Sequence, residues 1–348
     1  MYSTLRIPQT ELDEILLIDP NLWKKLHRAR LFLTGGSGFF GRWILESILR
    51  ANDCMGLNIS VVALVRSTKR FFQSAPYLSS CDVLRLVEGD IRSFDFPEGE
   101  FTYILHLATS SDAAIQAADP FGLFTVIVNG TGRVLEFAHQ CKARRFLFVS
   151  SGAVYGPQPA ELTKIPEDYR GAADCTNPQS VYSTAKRASE QLCGLYNSKG
   201  RIAVSIARPF AFIGPGMPLN GHFAAGNFIR DGIAGVPIKI TGDGTPLRSY
   251  LYSADLALWL WKILLDGTPG RAYNVGGKEI VSIQELAQTV ANCFSPSLSI
   301  IKDQRPDHGN PPERYIPDIS RAEKELGLSV RIPLKEALQR TISWYSNQ

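Results

Sequence analysis

At 348 residues with 45% hydrophobic content, the chain can bury one large α/β core or two intimate ones. Its net charge of +4 is mild and its charges are interspersed, which excludes the basic blocks of a nucleic-acid or membrane-surface binder. The six cysteines form no C-x-x-C pair and the histidines show no metal-ligand spacing, so neither a disulfide framework nor a metal site is expected. Met1 to Thr10 lacks an apolar leader, and the most hydrophobic run, from Leu256, is short and interrupted by Lys262. A cytoplasmic protein without a membrane span is expected.

Residues 1–29 carry two stretches with helical periodicity, with Pro20 at a helix start. They predict a helical extension packed on the main domain. From Arg30 the pattern becomes strand, glycine turn and amphipathic helix. In that context Gly35 permits the tight turn, Gly38 lets a pyrophosphate approach the backbone, and Gly41 lets helix and strand pack closely. The phosphates would sit on the helix N-terminus, where free N–H groups and the dipole favour anions. The second strand ends at Val65 and Arg66, followed by Ser67. A dinucleotide fold that takes NAD usually places an acid there, whereas an arginine suits a 2′-phosphate, so the reading leans toward NADP(H) over NAD.

The third strand ends at Gly89 and Asp90, where a carboxylate could meet the adenine amine. The fourth ends at Ala108 and Thr109, small residues that let a cofactor cross the sheet edge. A long helix from Asp119-Pro120 carries Asn129, and the next strand delivers Ser150 and Ser151. Tyr182 and Lys186 are four apart in a helical pattern and leave one helix face. A free tyrosine has a pKa near ~10, and an ammonium one turn away favours the phenolate and draws that value down. With the Ser151 hydroxyl on the same substrate oxygen, this is apparatus for moving a proton on or off an alcohol or carbonyl.

Strands alternating with helices over 30–208 predict a Rossmann-type, doubly wound parallel sheet, with ligands outside the carboxyl ends of its strands. Residues 209–348 lose that alternation and predict a smaller, mixed α/β lobe that makes a substrate cleft. Arg248 and Arg305 are candidates to grip a diphosphate bidentately.

The ordered motifs TGGSGFFG, GDI, HLAT, NGTG, SSGAVYG, YSTAK, ARPF, GDGTPLRSYLYSADLA, YNVGG and PDISRAEKELG resemble the extended short-chain dehydrogenase/reductase superfamily, in its nucleotide-sugar epimerase/dehydratase branch. The resemblance runs from about Arg30 to the C-terminus and leaves residues 1–29 outside. It implies that Tyr182 is the catalytic acid/base, that Lys186 tunes it and holds the nicotinamide ribose, and that Ser151 is their partner. It implies cofactor contacts from Gly35, Ser37, Gly38, Phe39, Phe40, Gly41, Arg66, Ser67, Asp90, Ile91, Leu107, Ala108, Thr109, Asn129, Ser150 and Pro209, besides Tyr182 and Lys186. Thr109, Ser151, Asn227, Arg248 and Arg305 are the implied substrate contacts. A homodimer is the family expectation, through the helices that carry Asp119–His139 and Tyr182.

The departures from the family pattern narrow the chemistry. The 4,6-dehydratases follow the Ser/Thr with Asp-Glu, and the sugar-acid decarboxylases keep a glutamate two before the loop tyrosine. Here Gly152 and Ala153 follow Ser151. Ala211 stands where many members have an asparagine, and Ser249 where an aspartate follows the arginine. SSGAVYG therefore looks like the 4-epimerases and the 4-keto-sugar reductases, which act by hydride transfer at C4 of a nucleoside-diphosphate sugar. The alternatives are a dehydratase or decarboxylase with relocated carboxylates, a carbonyl or hydroxysteroid-type reductase of the same superfamily, and a dinucleotide sensor without activity. The two arginines argue against an apolar substrate, and the Tyr/Lys pair argues against a sensor.

Overall fold

The strand β1 (Arg30–Thr34) divides its side chains between two cores. Leu31 and Leu33 join one apolar cluster and Phe32 joins the other. A strand buried on both faces belongs inside a parallel sheet covered by helices on both sides. The computed structural model, which describes residues 6–109, 117–221, 223–304 and 311–347, places it there. β2 (Ser60–Val65), β3 (Leu84–Glu88), β4 (Tyr103–His106), β5 (Arg145–Val149) and β6 (Ala203–Pro209) follow. Three short strands come next, β7 (Ala211–Ile213), β8 (Ile238–Ile240) and β9 (Leu247–Tyr252), and then β10 (Ala272–Val275). The large sheet is parallel throughout, with the order β10-β6-β5-β4-β1-β2-β3. The chain reverses direction across the sheet at β1 and β4, the place where such sheets bind ligands.

The lobe is built on β9. It pairs with β7, with β11 (Ile280–Ser282) and with β13 (Arg314–Tyr315), while β12 (Ile300–Lys302) pairs with β8. A clean boundary after residue 208 does not describe this arrangement. β10 returns to the large sheet beside β6, because a Tyr-Asn-Val run buried on all sides needs a strand neighbour.

The helices cover both faces. The N-terminal extension forms α1 (Gln9–Ile18) and α2 (Pro20–Lys24), with Pro20 in the first turn of α2 and Asp19 accepting from the Leu22 N–H at 3.0 Å. α1 packs on α3 (Phe39–Met55), and α4 (Thr68–Ser74) follows β2. α5 (Pro120–Gln140) and α6 (Val181–Ser198) lie side by side, with α5 over the Phe32 face. α7 (Ala224–Ile233) belongs to the lobe, and α8 (Ser253–Asp266) holds the apolar run from Leu256. Trp259 and Trp261 of α8 are fully buried, so that run is a core helix. Among the described residues no helix is long and apolar enough to cross a membrane. The extension is pinned by polar bonds as well: the Tyr252 hydroxyl donates to Glu11 at 2.7 Å, and Arg340 bridges Glu11 and Glu14.

Candidate active site

The turn after β1 is shaped by what cannot fit there. Gly35 has φ +78°, in the left-handed region, and a Cβ on it would lie 2.7 Å from the Ala108 nitrogen. A Cβ on Gly41 would lie 2.2 Å from the Gly35 carbonyl oxygen. α3 begins at Gly38 with no side chain capping it, leaving that helix end to an anion. Ser37 is exposed on the turn, and Phe39 and Phe40 are half-buried against the core. Leu107 and Ala108, at the end of β4, complete the edge, with the Ala108 N–H donating to Thr34 Oγ1 at 3.1 Å.

Below this edge His106 is fully enclosed. Its Nδ1 lies 2.7 Å from Thr34 Oγ1 and its Nε2 3.0 Å from Thr131 Oγ1. Thr131 donates its own proton to the Ile127 carbonyl, so it must accept from Nε2–H. Thr34 then donates to Nδ1, and the ring is neutral. Burial pushes its pKa down to about 3, with repulsion from Lys186 adding to it. Between that value and the ordinary His value near ~6.5 the unfolded chain binds the extra proton, so stability falls as pH drops through the window. Roughly one pH unit below ~6.5 the loss should be about 1.4 kcal/mol. Urea unfolding across that range should show this slope, and His106→Gln should flatten it; an equal slope in the variant would contradict the assignment.

Ser151 follows β5 in extended backbone and caps the short turn Gly152–Tyr155, its hydroxyl accepting from the Ala153 N–H at 3.1 Å. Tyr182 stands in the first turn of α6, and the Ser151 hydroxyl bears on its phenol. Lys186, one turn on, is buried and donates from Nζ to the Val149 carbonyl at 2.8 Å. The helix thus brings the three expected residues to one place. The electrostatics differ from the expectation drawn from spacing. Burial holds the Tyr182 phenol above its ordinary pKa, the Ser151 hydroxyl opposes this, and Lys186 is not among the groups that shift it. The lysine is turned to a carbonyl, and its own burial pushes its ammonium down to about 7.

A fourth side chain belongs here. Tyr315, on β13, packs its ring on Phe210 with ring centroids 4.5 Å apart and sets its hydroxyl over Gly152. A Cβ on Gly152 would lie 2.6 Å from that hydroxyl, so the glycine after Ser151 makes its room. No periodicity marks Tyr315; only the pairing of β13 with β9 delivers it. A buried network steadies the loop around it. Arg208 donates to Glu190 and to Tyr155, Tyr155 donates to Asn274, and Asn274 donates to the Ile165 and Asp318 carbonyls.

The remaining candidates scatter. Arg66 is exposed at the end of β2, and Ser67 caps α4 by accepting from the Arg70 N–H. Asp90 is held by Arg92, which keeps its carboxyl down at about 2. Ile91 is half-buried, Asn129 and Thr109 are exposed, and Pro209 is buried at the end of β6. The Ser150 hydroxyl is buried with no hydrogen-bond partner among the described residues. That orphan and the glycine cradle both fit a bound dinucleotide. Asn227 is engaged within the lobe, donating to the Gly221 carbonyl and accepting from Arg230. Arg248 pairs with Glu313 at 2.7 Å and lies 5.9 Å from the Tyr315 ring centre. Arg305 lies outside the described residues.

A parallel sheet with a glycine cradle at β1 and a Ser/Tyr/Lys group beyond β5 is the architecture of the short-chain dehydrogenase/reductase type. The sequence profile of the NAD dependent epimerase/dehydratase family matches residues 31–276, and the chain belongs to that family. It is an enzyme of the extended short-chain dehydrogenase/reductase type. UDP-glucuronic acid decarboxylase 1 of Arabidopsis thaliana is 29% identical over 321 residues, covering 92% of this chain and 71% of the relative. A dTDP-glucose 4,6-dehydratase from Streptomyces venezuelae, solved with NAD bound, superposes with a TM-score of 0.75 at 24% identity, over 91% of this chain and 97% of that one. A UDP-glucuronic acid 4-epimerase from Bacillus cereus, solved with UDP-glucuronic acid and NAD, gives a TM-score of 0.76 at 21% identity, over 91% and 99%.

Proposed function

We propose that this enzyme transfers a hydride at C4 of a nucleoside-diphosphate sugar, as a 4-epimerase or a 4-keto-sugar reductase. One observation carries the reading: Tyr182 and Ser151 meet at the sheet's carboxyl edge, and among the described residues no carboxylate bears on Tyr182. Gly152 and Ala153 supply neither of the carboxyls that water loss would use. Tyr182 takes the C4 hydroxyl proton and returns it, and Ser151 bonds the same oxygen. A dinucleotide, when bound, would supply the hydride acceptor; Gly35, Gly38, Gly41 and Ser150 would hold it.

The decarboxylases among the relatives favour a second reading. Oxidation at C4 of a glucuronic acid makes a β-keto acid, which loses CO2 readily, so both readings share the Tyr182 step. Incubation with UDP-glucuronic acid separates them: a C4 epimer supports the first, a pentose product the second, and no reaction with any sugar nucleotide would contradict both.

Arg66 supports NADP(H) over NAD, because its exposed guanidinium takes the place of an acid at the end of β2. NADPH should bind at least about tenfold tighter than NADH, a difference of about 1.4 kcal/mol, and Arg66→Ala should erase the preference. Tighter NADH would overturn it. α5 and α6 carry the exposed Phe121, Phe124 and Leu195, which supports a homodimer through these helices. A monomer in sedimentation at micromolar concentration would contradict that.

A further inference from the structure

Thr34, the residue before Gly35, is fully buried and receives two successive N–H groups from the end of β4. Its carbonyl accepts from Leu107 at 3.3 Å and its Oγ1 accepts from Ala108 at 3.1 Å. Gly35 turns directly against this clamp. A Cβ on it would lie 2.7 Å from the Ala108 nitrogen and 2.9 Å from the Ala108 Cα. The glycine turn therefore keeps its shape only while Ala108 keeps its place.

The sense of each bond leading to that clamp is fixed from the far end. A hydroxyl has one proton to give. Thr131 gives its proton to the Ile127 carbonyl at 2.7 Å, so it accepts from His106 Nε2 at 3.0 Å. The neutral ring then has only a lone pair at Nδ1, and Thr34 gives it a proton at 2.7 Å. Thr34 Oγ1 is left with lone pairs alone, and one of them faces the Ala108 N–H. The chain has a single direction, from Ala108 through Thr34 and His106 to Thr131 and α5. Its end is held from a second helix, because Ser189 of α6 donates to the same Ile127 carbonyl at 3.3 Å. The His106 ring lies among Phe146 and Phe148, with centroids 6.2 and 5.5 Å away, so the threonines hold its two nitrogens in apolar surroundings.

We propose that His106 is a positioning residue of the dinucleotide site: it draws the Thr34 proton onto Nδ1 and so holds Thr34 Oγ1 as the acceptor that seats Ala108 against the Gly35 turn. This rests on that turn holding the dinucleotide. His106 itself is buried and acts through Thr34. Without the ring nitrogen the Thr34 proton has lost its acceptor in a buried place, and the hydroxyl turns to find another. The Ala108 N–H then loses its partner, and the turn loses its support.

The test takes two readings on the full chain: exchange of the Ala108 amide proton by NMR in the free protein, and the dissociation constants of NADPH and NADH. His106→Phe keeps a ring beside Phe148 and removes both nitrogens. Ala108 should exchange about tenfold faster relative to Leu105 of the same strand. The tighter of the two dinucleotides should bind about fivefold weaker, the worth of one ordinary hydrogen bond. His106→Gln, whose amide carries both an acceptor and a donor, should restore both readings. Thr34→Val, nearly the same shape as threonine, should reproduce both losses even if His106→Phe does not fold, and Thr34→Ser should behave as wild type. General loosening of the fold would instead speed Ala108 and Leu105 alike. That result, or unchanged dinucleotide affinity in Thr34→Val, would overturn the proposal. Wild-type protein that binds neither dinucleotide would overturn the reading of the glycine turn, and exchange at Ala108 would still decide the hold of His106.

Discussion

Tyr182→Phe should lower turnover by about a thousandfold, within the usual span for losing a general acid/base, while dinucleotide affinity stays within about twofold. The ring is packed beside Leu123, Ile127 and Ala185, and phenylalanine fills the same space. Ser151 keeps its bond from the Ala153 N–H, so the stability cost should stay near that of one ordinary hydrogen bond, about 1 kcal/mol. The reaction loses more because neither neighbour beside Tyr182 among the described residues can take the proton. The Lys186 ammonium points at the Val149 carbonyl, and Ser151 alone is far too weak a base at neutral pH. Steady-state rates of the variant, with circular dichroism to confirm its fold, provide the check. Substantial retained activity would move the acid/base elsewhere.

Gly41→Ala should damage the fold and the dinucleotide site together. Its Cβ would lie 2.2 Å from the Gly35 carbonyl and 2.6 Å from Gly36 Cα, both backbone atoms that cannot swing aside. The turn must shift as a unit, and with it the cradle at the start of α3. Overpacking of this kind costs about 2–3 kcal/mol. Because the shift falls on the phosphate site, we expect dinucleotide binding about a hundredfold weaker, or about 2.7 kcal/mol. Gly194→Ala is the control, since nothing lies within 4 Å of its Cβ and it stands inside α6. It should be neutral or stabilising by up to ~1 kcal/mol through helix propensity. Thermal unfolding and a fluorescence titration with the reduced dinucleotide measure both.

The parts of the site legible in the sequence are those encoded by short-range pattern. Gly35, Gly38 and Gly41 sit between a strand and a helix, Ser151 ends a buried apolar run, and Tyr182 and Lys186 keep helical spacing. Each is local, and each lies where its pattern places it. Spacing says that two side chains leave one helix face, but not which atom an ammonium will find; the Val149 carbonyl, contributed by another strand, claimed Lys186. Tyr315 was beyond reach for a similar reason. Its strand is two residues long and has no period, and its value comes from pairing with β9, some 67 positions earlier in the register Tyr315 to Arg248. The return of β10 to the large sheet and the pairing of Arg248 with Glu313 are likewise contacts between distant segments. The N-terminal extension was legible as helix, whereas its anchoring to Tyr252 and Arg340 was not.

Hydride transfer at C4 is tested most directly with UDP-glucuronic acid deuterated at C4, mixed in a single turnover with the enzyme and oxidised dinucleotide. The expected result is a transient ultraviolet band of reduced nicotinamide that forms more slowly with the deuterated than with the protiated sugar, and that is absent in Tyr182→Phe. Conversion of the sugar with no such band and no dependence on the C4 label would contradict it.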